Sequence, residues 1–477
     1  MNYKLFNLNK FFLVIIIVNF IACNSIQKKK SETTKKPNIV FILVDDLGWA
    51  DTGFMGNPVY ETPNIDKLSK EGVAFTNAYA PAANCAPSRA CMISGKNTPR
   101  HGIYTVGSSE RGKSANRKII PTPNTETLAD DFITIAEALK KNGYTSASIG
   151  KWHIGDDPKT QGFDINIGGS HAGHPASYFS PYKNKALQDG KDGEYLTDRL
   201  TNEAINFMST NKEKPFFLYL PYFTVHTPLQ GKKEKVTKYT SKIKGDDRFN
   251  AKYGAMVESM DENVGKLLNS LEELKIADNT IIIFFSDNGG LASVSSQFPL
   301  RGGKGSYYEG GIRVPCIIKW PSKIEEPKTT DIPITGLDIF PTLMDVVHDK
   351  SEYDLDGISL LPFLTENRNI EERALFWHFP IYLESVNPKK EEARDPLFRT
   401  RPGSVIRKGK WKLHEYFEDG EFELYNLETD LREQVNLANE NPEKVKELYE
   451  ELNNWRLKTN APVPKELNGE YKSLKSN

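Results

Sequence analysis

Unbroken apolar runs alternate with amphipathic stretches along most of the chain. Four of these runs predict strands, at residues 38–44 (NIVFILV), 144–149, 215–223 (PFFLYLPYF) and 280–286 (TIIIFFS). Runs rich in β-branched and aromatic residues are typical of strands that are covered on both faces of a parallel sheet. Apolar residues spaced three or four apart predict helices, at residues 63–71, 133–142 and 253–274. This order predicts an α/β fold with a large mixed, mostly parallel sheet flanked by helices.

The pattern changes after residue 366. Segments 404–416 and 422–425 alternate polar and apolar residues, as short antiparallel strands do, around a Glu-Asp-Gly turn at 418–420. A helix is expected from residue 442 to 455. We therefore predict a main domain at 37–366 and a smaller C-terminal α+β domain at 367–477.

The first 36 residues predict export rather than a folded element. Lys4 and Lys10 precede an apolar run at 11–22, which is too short to span a bilayer and indicates a signal peptide over residues 1–23. Cys23 directly follows a small residue, as in a bacterial lipobox, and would be lipidated. Because Phe20 replaces the usual Leu, a plain secretory signal is the alternative. Residues 24–36 form a polar, Lys-rich tether.

We thus expect an exported protein in the periplasm or at the cell surface, joined to the membrane only through a lipid anchor. Its 62 Lys and Arg residues nearly balance 63 Asp and Glu residues, for a net charge of −1. Without a general basic field, nucleic acid is not the expected partner. Cys91 and Cys316 could pair in an oxidising envelope, but two free buried thiols are the favoured interpretation.

Each predicted strand ends in charged or metal-competent residues. Asp45 and Asp46 follow the first strand, and Asp287 and Asn288 follow the fourth. Ligands of open α/β sheets bind at the carboxyl ends of the strands, so these side chains should converge. Their oxygen donors favour Ca²⁺ or Mg²⁺ over zinc. A single Asp-Asp pair could be a solvated turn, but two such pairs indicate a metal site.

Basic residues and imidazoles follow the same strand ends. Lys151 and His153 alternate after the second strand, so they share a face suited to binding an anion and moving a proton. Lys304 lies in a glycine-rich loop (RGGKG), where the backbone can approach a ligand or simply form a solvated turn. His226 follows the third strand and could equally be a core histidine.

Cys85 begins the pentapeptide CAPSR. A cysteine with Pro two residues later and Arg four residues later is the pattern that formylglycine-generating enzymes oxidise to an aldehyde. The cysteine precedes a predicted helix, whose N-terminus favours anions, and Arg89 lies one turn further along, within reach of the residue-85 side chain. A buried structural cysteine is the alternative interpretation.

Taken together, these motifs resemble the type I, formylglycine-dependent sulfatases of the alkaline-phosphatase-like superfamily, in particular bacterial polysaccharide sulfatases. The resemblance spans residues 36–455. It rests on six segments: DDLGW (45–49), CAPSRACMISGK (85–96), GKWHIG (150–155), HTP (226–228), SDNGG (286–290) and RGGKGSYYEGGIRVP (301–315).

The resemblance implies that residues 37–366 are the catalytic domain. It implies one Ca²⁺ ion, with ligands Asp45, Asp46, Asp287, Asn288 and the modified residue 85. A formylglycine-generating or anaerobic sulfatase-maturating enzyme would oxidise Cys85 to formylglycine, whose hydrate attacks sulfur.

The resemblance also implies roles for the remaining motif residues. Asp287 and Arg89 would assist the attacking hydroxyl, and Lys151 and Lys304 would hold the sulfate. His226, together with Lys304, would protonate the leaving alcohol, and His153 would help to restore the aldehyde.

The implied substrate is a sulfated oligosaccharide or polysaccharide, such as the marine algal ulvan or galactan. Candidate sugar contacts are His171 and His174 in the loop 168–182, and Arg313. Two alternatives are a phosphodiesterase or phosphonate monoesterase of the same superfamily and a catalytically inactive glycan-binding lipoprotein. Asn288 argues against the first, and the intact set of proton-transfer residues argues against the second.

Overall fold

The apolar runs of the sequence form the centre of a large mixed sheet. The computed structural model describes residues 35–325 and 327–472. The strands of this sheet are β1 Asn38–Val44, β2 Val73–Tyr79, β3 Thr145–Ile149, β4 Ile165–Ile167, β5 Phe216–Pro221, β6 Thr280–Ser286, β7 Arg313–Lys319, β8 Lys328–Thr330 and β9 Ile334–Thr335. Their order is β4-β3-β5-β1-β6-β7-β2-β8, with β9 beside β2. Only β7 runs antiparallel to its neighbours, which confirms the mostly parallel sheet.

Helices cover the sheet, and the three predicted ones differ from the structure only at their ends. The helices up to residue 366 are α1 Pro63–Glu71, α2 Cys85–Ser94, α3 Thr98–His101, α4 Ile135–Lys141, α5 Leu196–Asn211, α6 Lys233–Ile243, α7 Ala251–Glu273, α8 Glu309–Ile312, α9 Ile339–Val346 and α10 Leu361–Glu366. Thr134 caps α4 by accepting from the Glu137 amide, and Glu137 returns a bond to the Thr134 amide.

Both faces of β1 are buried, which explains its unbroken apolar sequence. Ile39, Phe41 and Leu43 pack in one core with α4 and α9, and Val40 and Ile42 pack in the other core with α5 and α7. Successive strand side chains point to opposite faces, so a strand between two helix layers requires apolar residues at every position. The polar residues that follow β1 therefore mark the edge of the sheet.

A smaller antiparallel sheet forms the C-terminal region. Its elements are β10 Leu375–Phe379, β11 Leu383–Glu384, α11 Pro388–Glu391, β12 Phe398–Thr400, β13 Gly403–Lys408, β14 Trp411–Tyr416, β15 Phe422–Asn426 and α12 Pro442–Thr459. Strands β10, β13, β14 and β15 form one sheet, and β11 pairs with β12. The segment 404–416 forms two strands because the chain turns at Gly409, whose φ is 52°. Leu448 and Leu452 of α12 pack against this sheet.

A cluster of buried charged side chains links helix α8 to the C-terminal sheet. The Lys412 ammonium on β14 lies 2.9 Å from Glu309 Oε1 and 2.9 Å from Glu433 Oε1, and all three side chains are fully buried. The Glu309 amide donates to Glu433 Oε2 at 2.6 Å. Burial opposes ionisation of Glu309, but Lys412, Arg313 and Arg407 together outweigh it and lower the pKa of this carboxyl to about 2. The cluster thus fixes α8, which closely follows the glycine-rich loop, against the C-terminal sheet.

Some sequence predictions concern residues outside this description. The signal peptide, Cys23 and most of the tether lie there, and the boundary at residue 366 stays a prediction, because residues from Pro37 onward cluster as one compact unit. Within the described ranges, no helix has the length and apolar character needed to cross a membrane. Cys91 and Cys316 are buried free thiols, which confirms the unpaired interpretation.

Candidate active site

Strand ends β1, β3, β5 and β6 bring the predicted site residues together. Val44 of β1 is in register with Ser286 of β6, so the acidic pairs that follow become neighbours. The Asp46 amide donates to Asp287 Oδ1 at 3.1 Å. On the other side of β1, the Lys151 amide donates to the Pro221 carbonyl at 2.7 Å, which places the residue after β3 beside the end of β5.

Cys85 is the first residue of α2 and is 1% exposed. Its Sγ lies 3.0 Å from Lys304 Nζ and 3.7 Å from Asp46 Oδ1. Potential metal-ligand atoms of Asp45, Asp46, Cys85 and His226 all lie within 4.8 Å of one another. The first residue of α2 thus places its thiol among Asp45, Asp46 and His226, a group that we call the acidic centre.

Three basic side chains face three buried carboxyl groups in this centre. Lys151 Nζ lies 2.7 Å from Asp45 Oδ2, and Lys304 Nζ lies 2.8 Å from Asp46. Arg89 Nε and Nη2 each lie 2.8 Å from Asp287 Oδ2. Because three basic side chains are matched by three carboxyl groups, the centre can take up a divalent cation together with an anion with little change in its net charge.

The oxygen donors of the centre fit a hard cation. Asp45, Asp46, Asp287 and Asn288 are all at most 3% exposed. The Asn288 amide group donates to Asp46 Oδ1 at 2.8 Å, while its own Oδ1 is buried without a hydrogen-bond partner. A buried oxygen without a donor is costly unless something else binds it. A bound Ca²⁺ would satisfy this oxygen, and the donor set suits that ion.

The pKa values of the adjacent Asp45 and Asp46 shift in opposite directions. Burial raises the pKa of Asp45 well above its ordinary value, and the neighbouring Lys151 only partly opposes this. Burial acts on Asp46 too, but there Lys304, His226 and Lys151 together outweigh it, and the pKa lies below its ordinary value. The same pairing keeps Lys304 charged, because Asp46 raises the pKa of its ammonium despite the burial.

Arg89 is held in place by contacts with two segments of the centre. Besides its ion pair with Asp287, its Nη1 donates to the Lys151 carbonyl at 2.9 Å, and its side chain is fully buried. Burial disfavours the guanidinium charge, but the surrounding acidic groups, with Asp287 the strongest, together outweigh it and raise the pKa of Arg89. Arg89 therefore orients Asp287 and the end of β3.

Both histidines of the centre are held neutral near pH 7. His226 Nε2 lies 3.6 Å from Asp46 Oδ2, and its Nδ1 lies 2.7 Å from the Thr227 carbonyl, which indicates a proton on Nδ1. Burial, followed by Lys304, lowers the pKa of His226. Burial and Lys151 lower the pKa of His153 well below its ordinary value. His153 Nδ1 is buried without a hydrogen-bond partner, which leaves it free to accept a proton.

A family model described as Sulfatase matches residues 37–349. The chain belongs to the sulfatase family. A second model, described as N-sulphoglucosamine sulphohydrolase, C-terminal, matches residues 303–461. The family and its named relatives identify the protein as a sulfuric ester hydrolase.

Relatives and solved structures agree with this assignment. A sulfatase of Formosa agariphila is 32% identical over 95% of this chain and 94% of its own length. The N-acetylgalactosamine-6-sulfatase of Mus musculus is 33% identical over 72% of this chain and 68% of its own. The crystal structure of Ps i-CgsB in complex with k-i-k-neocarrahexaose has a TM-score of 0.73 at 31% identity, and the match covers 91% of this chain and 95% of that one.

The loop 168–182 of the sulfatase places two further imidazoles beside the centre. The His171 ring lies 6.3 Å from the His153 ring, and the His174 ring stacks on the His226 ring at 6.2 Å with an angle of 8°. Gly173 lies between them, against His153: a Cβ added there would be 2.5 Å from His153 Nε2. The two predicted sugar contacts are thus next to His153 and His226.

The structure does not bring Arg313 into this group. Its Nε donates to the Thr76 carbonyl at 2.8 Å, and its Nη1 lies 3.3 Å from Glu309. Its guanidinium also lies 5.0 Å from the centre of the Trp49 ring. These contacts hold Arg313, the first residue of β7, against β2 and the buried ion cluster.

Two supporting residues escaped the sequence interpretation. Arg399 Nη1 donates to the Lys304 carbonyl at 3.1 Å and so holds the glycine-rich loop from 95 residues away. Tyr253, read from the sequence only as a core position of α7, donates to Asp51 at 2.6 Å and lies 3.3 Å from the Asp46 carbonyl. Neither residue belongs to a local motif, so only the fold reveals its role.

Proposed function

We propose that this sulfatase removes sulfate esters from a sulfated polysaccharide, such as an algal ulvan or galactan, using a formylglycine made from Cys85 and a bound Ca²⁺ ion. The observation that carries the proposal is the position of the Cys85 thiol, 3.0 Å from Lys304 Nζ, at the edge of the acidic centre. A carbohydrate substrate is supported by the neocarrahexaose complex of i-CgsB, which is 31% identical to this chain.

Asp45, Asp46, Asp287 and Asn288 would hold the Ca²⁺ ion, together with the modified residue 85. The bound ion would supply positive charge that stabilises developing negative charge on sulfate oxygens. The unpartnered Asn288 Oδ1 and the all-oxygen side chains of the four residues support this assignment.

Lysines of the centre would bind the sulfate group. An aldehyde at position 85 supplies, when hydrated, an oxygen nucleophile close to that group. Lys151 is buried and the Lys304 side chain is only 13% exposed, so their ammonium groups would donate hydrogen bonds to sulfate oxygens in a site that largely excludes water. Arg89 would keep Asp287 in place to accept a proton.

Proton transfer falls to Lys304 and the two neutral histidines. Lys304, whose ammonium lies 2.8 Å from Asp46, would deliver the proton that the leaving alcohol needs, and His226 would share this role once its Nε2, which lies 3.6 Å from the same aspartate, has taken up a proton. His153, whose Nδ1 has no hydrogen-bond partner, would accept a proton from the second hydroxyl of the hydrated residue 85. Loss of that proton would restore the aldehyde and release sulfate. His171 and His174, which flank these rings, would contact the sugar.

Export and maturation complete the proposal. The signal sequence and the lipobox-like Cys23 support an anchored periplasmic or surface protein. A formylglycine-generating or anaerobic sulfatase-maturating enzyme would act on CAPSR before the chain folds, because Cys85 is buried in the folded protein.

The decisive experiment joins maturation to activity. The mature chain is co-expressed with a formylglycine-generating enzyme, the residue-85 aldehyde is verified by peptide mass spectrometry, and sulfate release is measured on sulfated algal and animal oligosaccharides. Release that disappears in Cys85→Ala and after chelation supports the proposal and identifies the sugar. Turnover of phosphate esters alone, or sulfate release by Cys85→Ala, would overturn it.

A further inference from the structure

A cleft of about 370 Å³ opens next to the loop that carries Lys304. Its walls include Ala292, four residues after Asn288, and Gly302, two residues before Lys304. Consecutive Cα atoms are about 3.8 Å apart, so the Gly302 and Lys304 Cα atoms lie within about 8 Å of each other. The Lys304 amide also donates to the Gly290 carbonyl at 2.8 Å, which joins the two loops. The cleft therefore borders the acidic centre in which the sulfate group would bind.

Basic side chains dominate the walls of this cleft. Four cations, namely Arg248, Lys389, Lys390 and Arg432, outnumber the two anions Asp247 and Glu392. We call this site the basic cleft. Lys389 is exposed and has no ion-pair partner within the described part of the chain, and Lys390 Nζ contacts only a carbonyl there, that of Asp247, at 3.2 Å. The two lysines are therefore available to an incoming anion.

An aromatic ring is exposed in the same walls. Phe298 is 58% exposed, unusual for a large apolar side chain, and the Arg432 guanidinium lies 5.5 Å from its ring centre. A sugar ring has an apolar C–H face that packs on an aromatic ring, while its sulfate or carboxylate meets neighbouring cations.

We propose that the basic cleft binds an anionic sugar residue adjacent, along the same chain, to the sugar whose sulfate is removed. This rests on the proposed function, and it narrows the substrate from any carbohydrate sulfate to a polyanionic chain with at least two charged sugars. The anion in the cleft is a sulfate ester or a carboxylate, because ammonium groups bind either.

The test compares long and short substrates. Matured wild type, Lys389→Gln/Lys390→Gln and Phe298→Ala are assayed on a sulfated galactan hexasaccharide and on the corresponding monosulfated monosaccharide. The control is Lys70→Gln/Lys141→Gln, which removes two exposed lysines on α1 and α4. A uronate-containing hexasaccharide with one sulfate distinguishes a carboxylate in the cleft from a sulfate.

We expect the ratio of kcat/KM for the hexasaccharide to that for the monosaccharide to fall about tenfold in the double lysine variant, mainly through KM, since two exposed charge contacts together amount to about this factor. The difference should shrink as salt is added. The control should keep the wild-type ratio. A wild-type ratio in the double lysine variant, whether kcat/KM is unchanged or falls equally on both substrates, would overturn the proposal that the basic cleft binds an anionic sugar.

A binding measurement separates this inference from the proposed function. The full-length Cys85→Ala protein is titrated with the hexasaccharide by calorimetry, with and without the two lysine substitutions. Weaker binding in the lysine variant supports the basic cleft even if the wild type releases no sulfate, in which case only the proposed function fails. Unchanged binding together with normal sulfate release retains the function and rejects the cleft.

Discussion

Lys304 Nζ lies 3.0 Å from Cys85 Sγ, so a loop lysine and the first residue of α2 meet across 219 residues of sequence. The same ammonium lies 2.8 Å from Asp46. Lys304 thus contacts both the residue to be modified and the acidic centre, and it reaches that position on a loop that Arg399 and the buried ion cluster hold in place.

Replacing Lys304 with Met should remove a charge that stabilises the transition state. We expect kcat for sulfate release to fall by about 10²–10³-fold, the usual loss for one preorganised donor. Lys159→Met removes an exposed lysine, six residues after His153 in sequence, and is the control. Steady-state kinetics on matured protein, with thermal unfolding to verify folding, provide the measurement. A loss of only a few-fold would exclude a direct role for this ammonium.

Asn288→Leu should abolish the response to calcium, because it removes the unpartnered amide oxygen. Ca²⁺ that binds only the folded wild type at 100 times its Kd stabilises it by about 2.7 kcal/mol. We expect that gain, measured by thermal unfolding with Ca²⁺ and with chelator, to disappear in the variant. Asn263→Leu, at a buried asparagine bound to Asp198, should destabilise the protein but keep the calcium response. A full response in Asn288→Leu would contradict the proposed ligand set.

Much of this centre could be predicted from the sequence because its residues follow strand ends. An apolar run rich in β-branched and aromatic residues favours a strand covered on both faces of a parallel sheet, and the predicted ranges of β1 and β6 match the structure to the residue, which also locates Asp45 and Asp287. Lys304 required the resemblance to a known family, because a glycine-rich loop does not reveal by itself which strand end it faces.

The rest depends on contacts between distant segments. The sequence does not encode locally that His174 stacks on His226, since the path of the loop 168–182 depends on bonds such as that from the Tyr178 hydroxyl to the His226 carbonyl at 2.8 Å. Arg313 was a candidate sugar contact because it is a cation in a family motif, yet its guanidinium contacts Glu309 and the Thr76 carbonyl.

Gly173→Ala should impair His153 without touching any charged group. The added Cβ would lie 2.5 Å from His153 Nε2, so the imidazole must move. A displacement of about 1 Å in a proton-transfer group costs on the order of 10²-fold in rate. We expect kcat to fall accordingly while the unfolding temperature stays close to that of the wild type. Gly469→Ala, where an added Cβ meets no atom within 4 Å, is the matched control. Wild-type kcat in Gly173→Ala would show that His153 tolerates the shift.

Lys412→Met should destabilise the fold strongly. It would leave the Glu309 and Glu433 carboxylates buried without their cation, and breaking a buried pair in this way costs about 3–5 kcal/mol. Lys410→Met, two residues away, removes an exposed lysine whose distance to Glu428 is 3.8 Å, and should cost less than about 1 kcal/mol. Urea unfolding of both variants gives the comparison. Equal stabilities would mean that the cluster contributes nothing to the joint between α8 and β14.

Acid should weaken the protein through His378, which lies in β10 far from the catalytic centre in sequence. Its Nδ1 lies 2.8 Å from Ser404 Oγ and its Nε2 lies 2.9 Å from the Pro462 carbonyl. Burial lowers its pKa from 6.5 to about 3, and Arg456 adds to the effect. The unfolded chain therefore binds one more proton than the folded chain between pH 6.5 and 3, so the free energy of unfolding falls as the pH falls through this window. At pH 5 the free energy of unfolding is lower by about 2 kcal/mol than at pH 7 because of this single group.

His378→Gln should reduce the slope of stability against pH in urea unfolding between pH 7 and 4.5, whereas His348→Gln, at an exposed histidine, should leave the slope unchanged. An identical slope in both variants would mean that His378 is already neutral in the unfolded chain or protonated in the folded one.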